Sequence, residues 1–492
     1  MPDSPEFDVV VIGAGPTGEN VAARAVQGGL SAALIERELV GGECSYWACM
    51  PSKAMLRPVH ALAEARSVEG ASQAVTGRID AQAVLRRRDS FTHAWDDSSQ
   101  VQWAQGAGIT LLRGRGRLVG EKCVEVLARA AAAGHSGGAG ESSGQGQQQR
   151  QVLKARSAVV IATGSDAAMP PVPGLAESAP WTSRDATSAK EVPGRLVVMG
   201  GGVVGCEMAQ VFGALGSEVT IVERGPRLVP GVEERASEML ARSMQARGIT
   251  VMTGCSVQSV EGGEPSGYSV GLGPAGSLQA DRLLVAVGRV PRTGDIGLST
   301  VGLTDGDWLH VDDSLLVQGV SGQWLYAAGD VNHRALLTHQ GKYQARACGD
   351  AIVARAKGSF SAQDWGKCSA TADHRCVPQV IFTDPEISAV GLTEAAARQA
   401  GISVKAVEYE MGNVAGAALY ADGYEGWAKM VVDQDRHVVV GATFVGSGAG
   451  ELVHAATIAV VGEVPLERLW HAVPSYPTIS EVWLRLLESY GL

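Results

Sequence analysis

The stretch Phe7-Asp8-Val9-Val10-Val11-Ile12-Gly13-Ala14-Gly15-Pro16-Thr17-Gly18 decides the fold. Its apolar run ends at glycine and has the composition of a buried strand. A helical run through Ala22–Gln27 follows, and a second apolar strand, Ala32–Ile35, ends in Glu36. Strand, glycine-rich turn, helix, strand and terminal acid together form the context that a dinucleotide fingerprint requires. Gly13 allows the tight turn, Gly15 lets backbone approach a pyrophosphate, and Gly18 lets helix and strand pack closely. The pyrophosphate would rest on the helix N-terminus, and Glu36 would meet ribose hydroxyls.

The pattern recurs. Leu196–Met199 reads as a strand, Gly200-Gly201-Gly202-Val203-Val204-Gly205 as the turn, Cys206–Ala214 as the helix and Val219–Val222 as the next strand, closed by Glu223. Two fingerprints mean two dinucleotides, or a flavin together with a nicotinamide nucleotide. Glu223 accepts from a ribose 2′-hydroxyl and repels a 2′-phosphate, which favours NADH. Arg224 and Arg227 beside it keep NADPH possible. Leu283–Val287 with Gly288 closes this second unit, and Val159–Gly164 is a strand ending in a sharp turn. Leu325–Asp330 is another strand-to-turn element ending in an acid, followed by a helical run over Leu336–Ala354. Residues 128–151, rich in alanine, glycine, serine and glutamine, cannot bury a core and are expected to form a disordered loop between two strands. From about Val377, β-rich runs alternate with helical ones and carry no fingerprint, as in a packing domain.

A chain of 492 residues exceeds one core and implies about three domains. With 52 acidic against 41 basic residues the formal charge is −11, which argues against nucleic acid and anionic membrane partners. The apolar runs fall short of a membrane span, and no charged leader precedes the first strand, so a cytoplasmic location is expected. Eight scattered cysteines do not form a secreted disulfide framework, but two of them are closely spaced.

Those two lie in Gly41-Gly42-Glu43-Cys44-Ser45-Tyr46-Trp47-Ala48-Cys49-Met50-Pro51-Ser52-Lys53. In a regular helix, residues five apart are about 7.5 Å apart along the axis. A disulfide needs Cα atoms roughly 4.4–6.8 Å apart, so a Cys44–Cys49 bridge requires a distorted turn. Pro51 suits a first helical position, which puts Cys49 near a positive helix end where thiolates are stabilised. The pair is either a reducible bridge or two unrelated buried thiols.

Taken together, the residues resemble the flavoprotein disulfide reductases, the family of dihydrolipoamide dehydrogenase, glutathione reductase and mercuric reductase. The resemblance covers nearly the whole chain. It rests on both fingerprints, on Cys44–Cys49 with Pro51-Ser52-Lys53, on Ala162-Thr163-Gly164, on Gly329-Asp330 and on Phe382-Thr383-Asp384-Pro385-Glu386, in the family's order. It implies an α/β architecture: two Rossmann-like dinucleotide-binding domains and a C-terminal α+β dimerisation domain. The FAD domain would comprise 1–165 and 294–376, the NAD(P)H domain 166–293, and the interface domain 377–492.

By the same resemblance, Gly13, Gly15, Gly18, Glu36, Gly42, Gly116, Thr163, Gly164 and Asp330 would hold FAD, and Leu336, Leu337, Thr338 and His339 would lie under its ring. Gly200, Gly202, Gly205, Glu223 and Gly288 would hold the nicotinamide nucleotide. Lys53 and Glu207 would pair beside the flavin. Hydride would pass from nicotinamide to flavin and on to the Cys44–Cys49 disulfide, with Cys49 against the flavin and Cys44 facing the substrate. The family is a homodimer whose active sites are shared between subunits, and no metal is implied.

The sequence departs from the family at the thiol's base. The family has His-Pro-Thr with a following Glu; here the segment is Ser475-Tyr476-Pro477-Thr478-Ile479-Ser480-Glu481. Tyr476 stands in the histidine's place, Glu481 is kept, and neither His454 nor His471 is in register. A phenol is a poor base at neutral pH, but it can donate to a carbonyl or oxyanion. Tyr46 and Trp47 also replace small residues between the cysteines. They either narrow access, stack on a flat acceptor, or simply pack. Mercury is disfavoured, because no cysteine follows Cys376. The expected acceptor is an atypical one, a small-molecule disulfide or quinone-like compound other than ordinary lipoamide or glutathione. The alternatives are a quinone or diaphorase-type reductase, or a dihydrolipoamide dehydrogenase-like component of a larger complex.

Overall fold

The computed structural model describes residues 4–128 and 149–492. The chain divides into two compact units, one of Met1–Tyr46, His93–Asp166 and Arg289–Asp373, the other of Trp47–Thr92, Ala167–Gly288 and His374–Leu492.

In the first unit, strand β1 (Glu6–Ile12), helix α1 (Pro16–Gln27) and strand β2 (Ala32–Glu36) form the expected nucleotide-binding turn. β1 pairs in parallel with β2 and with the long strand Gln149–Ile161, which also takes Leu325–Ala327 as a parallel neighbour. Val9, Val10 and Val11 are fully buried, because helices cover a parallel sheet on both faces. Cys123–Ala128 pairs antiparallel with Gln149–Ile161, register Ala128 to Gln149. The sequence expectation of a loop over 128–151 is therefore corrected at its edges: Ala128 and Gln149–Gln151 are strand residues, held by backbone pairing despite their composition. Residues 129–148 lie outside the described residues.

In the second unit, a four-stranded parallel sheet runs Thr250–Met252, Glu218–Val222, Arg195–Met199 and Arg282–Val285. The second fingerprint occupies the turn between Arg195–Met199 and the helix Val203–Ala214. Beyond it lies a five-stranded antiparallel sheet of order Pro378–Ile381, Glu386–Gly391, Val438–Gly446, Trp427–Asp433 and Val404–Glu410. Among the described residues, no helix is long and apolar enough to cross a membrane.

Helix α2 (Gly42–Tyr46) carries Cys44, and helix α3 (Cys49–Arg66) begins at Cys49. Pro51 is the third residue of α3 and not its first, a correction of two positions. It is tolerated there because the N–H groups of a helix's first turn have no intrahelical partner.

A buried cation ties the antiparallel sheet to the second nucleotide fold. Lys429 is 7% exposed, with its Nζ 2.7 Å from Glu394, 3.2 Å from Glu233 and 3.4 Å from Glu408. Its hydrogen bond, then that of Arg398, holds the Glu394 carboxyl below its ordinary range. A depressed carboxylate contributes stability above its unfolded pKa and loses it as pH falls through the folded value. Lys429→Met is accordingly expected to cost about 3 kcal/mol at pH 7 by leaving the buried Glu233 carboxylate without its lysine and weakening the hold on Glu394. Thermal unfolding at pH 7 and pH 4 checks this, with the gap between variant and wild type narrowing at the lower pH.

Candidate active site

The two fingerprint turns are built alike. A side chain on Gly18 would run into the Gly13 carbonyl, and one on Gly205 into the Gly200 carbonyl, so helix and strand pack backbone to backbone. Gly13 and Gly200 have φ of +102° and +112°, a region that favours glycine. Gly15 and Gly202, by contrast, face open space in front of their helices, as close approach of a pyrophosphate requires.

The acids that end the second strands serve these same turns. Glu36 accepts from the Ala14 N–H at 2.8 Å and from the Glu38 N–H at 2.7 Å. Glu223 accepts from the Gly201 N–H at 2.6 Å and from the Gly225 N–H at 2.5 Å. Burial pushes the Glu36 carboxyl up, against the pull of its two backbone donors. Of the two arginines flanking Glu223, Arg227 donates to the Val232 and Pro230 carbonyls, both at 2.9 Å. Arg224 is exposed and pairs with no acid among the described residues.

Within the first unit, the Gly41–Gly42 loop leans on the fingerprint. The Gly41 N–H donates to the Ala14 carbonyl at 2.8 Å, and a Cβ on Gly42 would come 2.8 Å from the Gly15 Cα. Just after Gln149–Ile161, Thr163 Oγ1 is buried without a hydrogen-bond partner among the described residues, and Gly164 turns there with φ of +73°. Asp330 Oδ2 accepts from Ser165 Oγ at 2.6 Å. Leu336 is exposed, and Thr338 and His339 open the helix Thr338–Ala356. Gly116 is buried in a strand, with Ile12 and Ile35 at 3.0 and 3.2 Å from the place of its Cβ. The open face of Gly15, the orphaned Thr163 hydroxyl and the Glu36 carboxylate fit a flavin dinucleotide. In the second unit, the open face of Gly202, the acid Glu223 and the unobstructed Gly288 fit a nicotinamide dinucleotide.

Sequence reasoning missed several polar groups here. Arg292 pairs with Glu43, the residue before Cys44, and with Asp166 at 2.7 Å. Arg289 grips Ser165 through Oγ at 2.5 Å and the carbonyl at 2.6 Å. Two arginines flanking Val290-Pro291 were the available signal. Glu19 on α1 is 7% exposed with Oε1 unpartnered, and burial pushes its carboxyl up to about 8. Tyr46 is 1% exposed, its phenol pushed up to about 12 by burial and then by the Asp97 charge.

In the second unit, Lys53 Nζ lies 2.7 Å from Glu207 Oε2 and 4.9 Å from the centre of the Phe382 ring. Glu207, 3% exposed, also accepts from the Phe382 N–H at 3.0 Å, so both its oxygens are satisfied. Cys49 here, and Cys44 in the first unit, are both half-buried. Ala48 separates α2 from α3 with φ −130° and ψ −96°, a break from helical geometry where the distorted turn was expected.

At the C-terminus, Tyr476 is 77% exposed. Glu481 is 7% exposed; its Oε1 accepts from Arg485 at 2.7 Å, while Oε2 is buried with no partner among the described residues. His454 and His471 are both exposed.

Comparison with known proteins places this geometry. The family model described as pyridine nucleotide-disulphide oxidoreductase matches residues 7–355, and that family's dimerisation domain matches 377–486. Dihydrolipoyl dehydrogenase of Chlamydia muridarum is 31% identical over 97% of this chain and 95% of its own length. Mercuric reductase of Staphylococcus aureus is 31% identical over 97% of this chain and 81% of its own. Among solved structures, the Cu(II) complex of the HOCl-induced flavoprotein disulfide reductase RclA from Escherichia coli shares the fold, with a TM-score of 0.80 at 22% identity over 98% of this chain and 99% of that one. The chain therefore belongs to the pyridine nucleotide-disulphide oxidoreductases, FAD-dependent enzymes that use NAD(P)H and dimerise through the C-terminal domain.

Proposed function

We propose that this enzyme takes hydride from NADH and delivers electrons through a Cys44–Cys49 couple to an acceptor other than lipoamide or glutathione disulfide. The observation that carries the choice of acceptor is the C-terminal segment: an exposed tyrosine in the histidine's place, and a Glu481 whose one engaged oxygen is taken by Arg485. FAD, when bound, accepts a hydride and returns two electrons.

The chain's own residues do the rest. Gly15 and Thr163 offer a backbone approach and a hydroxyl to the flavin nucleotide, and Glu36 fixes the turn that presents them. Lys53, held by Glu207, places a cation on the helix that starts at Cys49. That helix end favours the thiolate of Cys49. Tyr476 donates a hydrogen bond to the acceptor in the partner subunit's site and does not serve as the thiol's base. The same reading makes Glu223 a selector for the 2′-hydroxyl, with Arg224 alone left to meet a 2′-phosphate.

Two measurements test this. General base catalysis is worth about 10²–10⁴-fold, so Tyr476→His is expected to raise kcat/KM for lipoamide and glutathione disulfide within that range while leaving quinone or dye reduction nearly unchanged. Efficient lipoamide turnover by the wild type, lost in Tyr476→Phe, would overturn the assignment and make the phenol the acid–base group.

Stopped-flow flavin reduction is expected to favour NADH over NADPH by about tenfold or more, the effect of one close like-charge contact. Glu223→Gln is expected to shrink that ratio. A wild-type preference for NADPH refutes the assignment.

A further inference from the structure

The segment between the two cysteines is gripped from outside its own helices. Trp47 O lies 2.8 Å from Thr187 Oγ1, nearer than the carbonyls of Ser183 and Arg184 in that residue's own helix, at 3.0 and 3.2 Å. A hydroxyl has one proton, and the shortest contact is the one to the redox segment. The Arg184 guanidinium lies 4.1 Å from the centre of the Trp47 ring. The next carbonyl, Ala48 O, accepts from Ser52 Oγ at 2.7 Å and from the Ser52 N–H at 3.1 Å. Both carbonyls of the linker are thus fixed, across a residue whose φ and ψ break the helix.

The gripping helix, Ser183–Ser188, is itself anchored at both ends. Thr182 and Asp185 form a capping box at its start. At its end, Arg88, completely buried, donates through Nη1 to Thr187 O at 2.7 Å and to Ala189 O at 2.9 Å. A six-residue helix has little stability alone. Burying an arginine to hold its last carbonyls makes it a rigid platform.

We propose that helix Ser183–Ser188 is a clamp on the redox segment, in which Thr187 and Arg184 are positioning residues that shift the Cys44–Cys49 equilibrium toward the disulfide. The physical reason is geometric. Released, Trp47 and Ala48 relax toward continuous helix from α2 into α3, which sets residues five apart about 7.5 Å apart along the axis, beyond bridging reach. Held, they keep the break from helical geometry that a bridge between residues five apart requires. The redox step balances simply: two thiols lose two protons and two electrons to form the disulfide, and glutathione disulfide takes them up to become two glutathione thiols.

This inference rests on the proposal that Cys44 and Cys49 are a working couple, and one experiment separates the two. FAD-loaded enzyme is equilibrated anaerobically with graded glutathione thiol–disulfide mixtures, acid-quenched and alkylated, and the Cys44 and Cys49 peptides are counted by mass. Thr187→Val keeps the shape and removes the donor. It is expected to move the equilibrium about three- to tenfold toward the dithiol, the worth of one hydrogen bond. Arg184→Met is expected to move it in the same direction, and Thr187→Ser to restore it. If the wild type forms no disulfide at any ratio, the couple and the clamp both fall. If the wild type forms it and Thr187→Val lowers the melting temperature while leaving the equilibrium within about twofold, Thr187 is only structural and the clamp alone falls.

Discussion

A buried carboxylate bridging two backbone N–H groups is the constraint on which the rest of this structure is hung. Glu36 is 9% exposed, and a charge so placed is tolerated only when hydrogen bonded. Its partners, the N–H groups of Ala14 and Glu38, belong to the turn after β1 and the segment after β2. The bond therefore locks two crossovers at once. Once Ala14 is fixed, its carbonyl anchors the Gly41 N–H, the adjacent Gly42 meets Gly15, and α2 with Cys44 starts from a defined point. Glu223 repeats the device in the second unit through Gly201 and Gly225. One acid per fold thus organises a nucleotide turn, with no side chain inserted where a pyrophosphate must come.

Much of this was legible in the chain. Glycine spacing and terminal acids located both turns, because φ above zero and backbone-to-backbone packing leave few alternatives to glycine. The strands Ala32–Glu36, Arg195–Met199 and Glu218–Val222 lie within a residue or so of their sequence reading, since a fully buried strand is apolar throughout. The paired Lys53 and Glu207 came only from the resemblance, as 154 residues separate them. Nothing local marked Thr187 or Arg88, and only the close spacing of Arg289 and Arg292 hinted at Arg292. Their meaning lies in which distant carbonyl or carboxylate each one reaches. The polar run Gln149-Arg150-Gln151 also misled, because strand pairing there is supplied by backbone groups of Cys123–Ala128.

The C-terminal segment sets an exposed phenol and a buried acid five residues apart under different constraints. Glu481 sits at the end of a short 3₁₀ turn, buried, with Arg485 one helical turn onward as its cation. One oxygen is thereby neutralised while the other has no donor among the described residues. The phenol, on a segment of the dimerisation domain, is exposed. The acid has become part of a local ion pair, and the tyrosine stands apart as a surface group with a single proton to offer.

The threading of the first unit governs the order in which it can be made. β1 pairs with Gln149–Ile161, with Val9 opposite Ala158, and that strand in turn takes Leu325–Ala327 on its other side, with Val159 opposite Leu325. A ribosome must deliver well over half the chain before this sheet has its last parallel neighbour. Until then the edge of Val159–Ile161 lacks its parallel neighbour, while the whole parallel sheet of the second unit has already emerged between them. Long-range parallel pairing of this kind is slow and exposes strand edges to aggregation. During synthesis, therefore, the nucleotide fold encoded in the middle of the gene is free to mature first, and the one whose fingerprint opens the chain completes last.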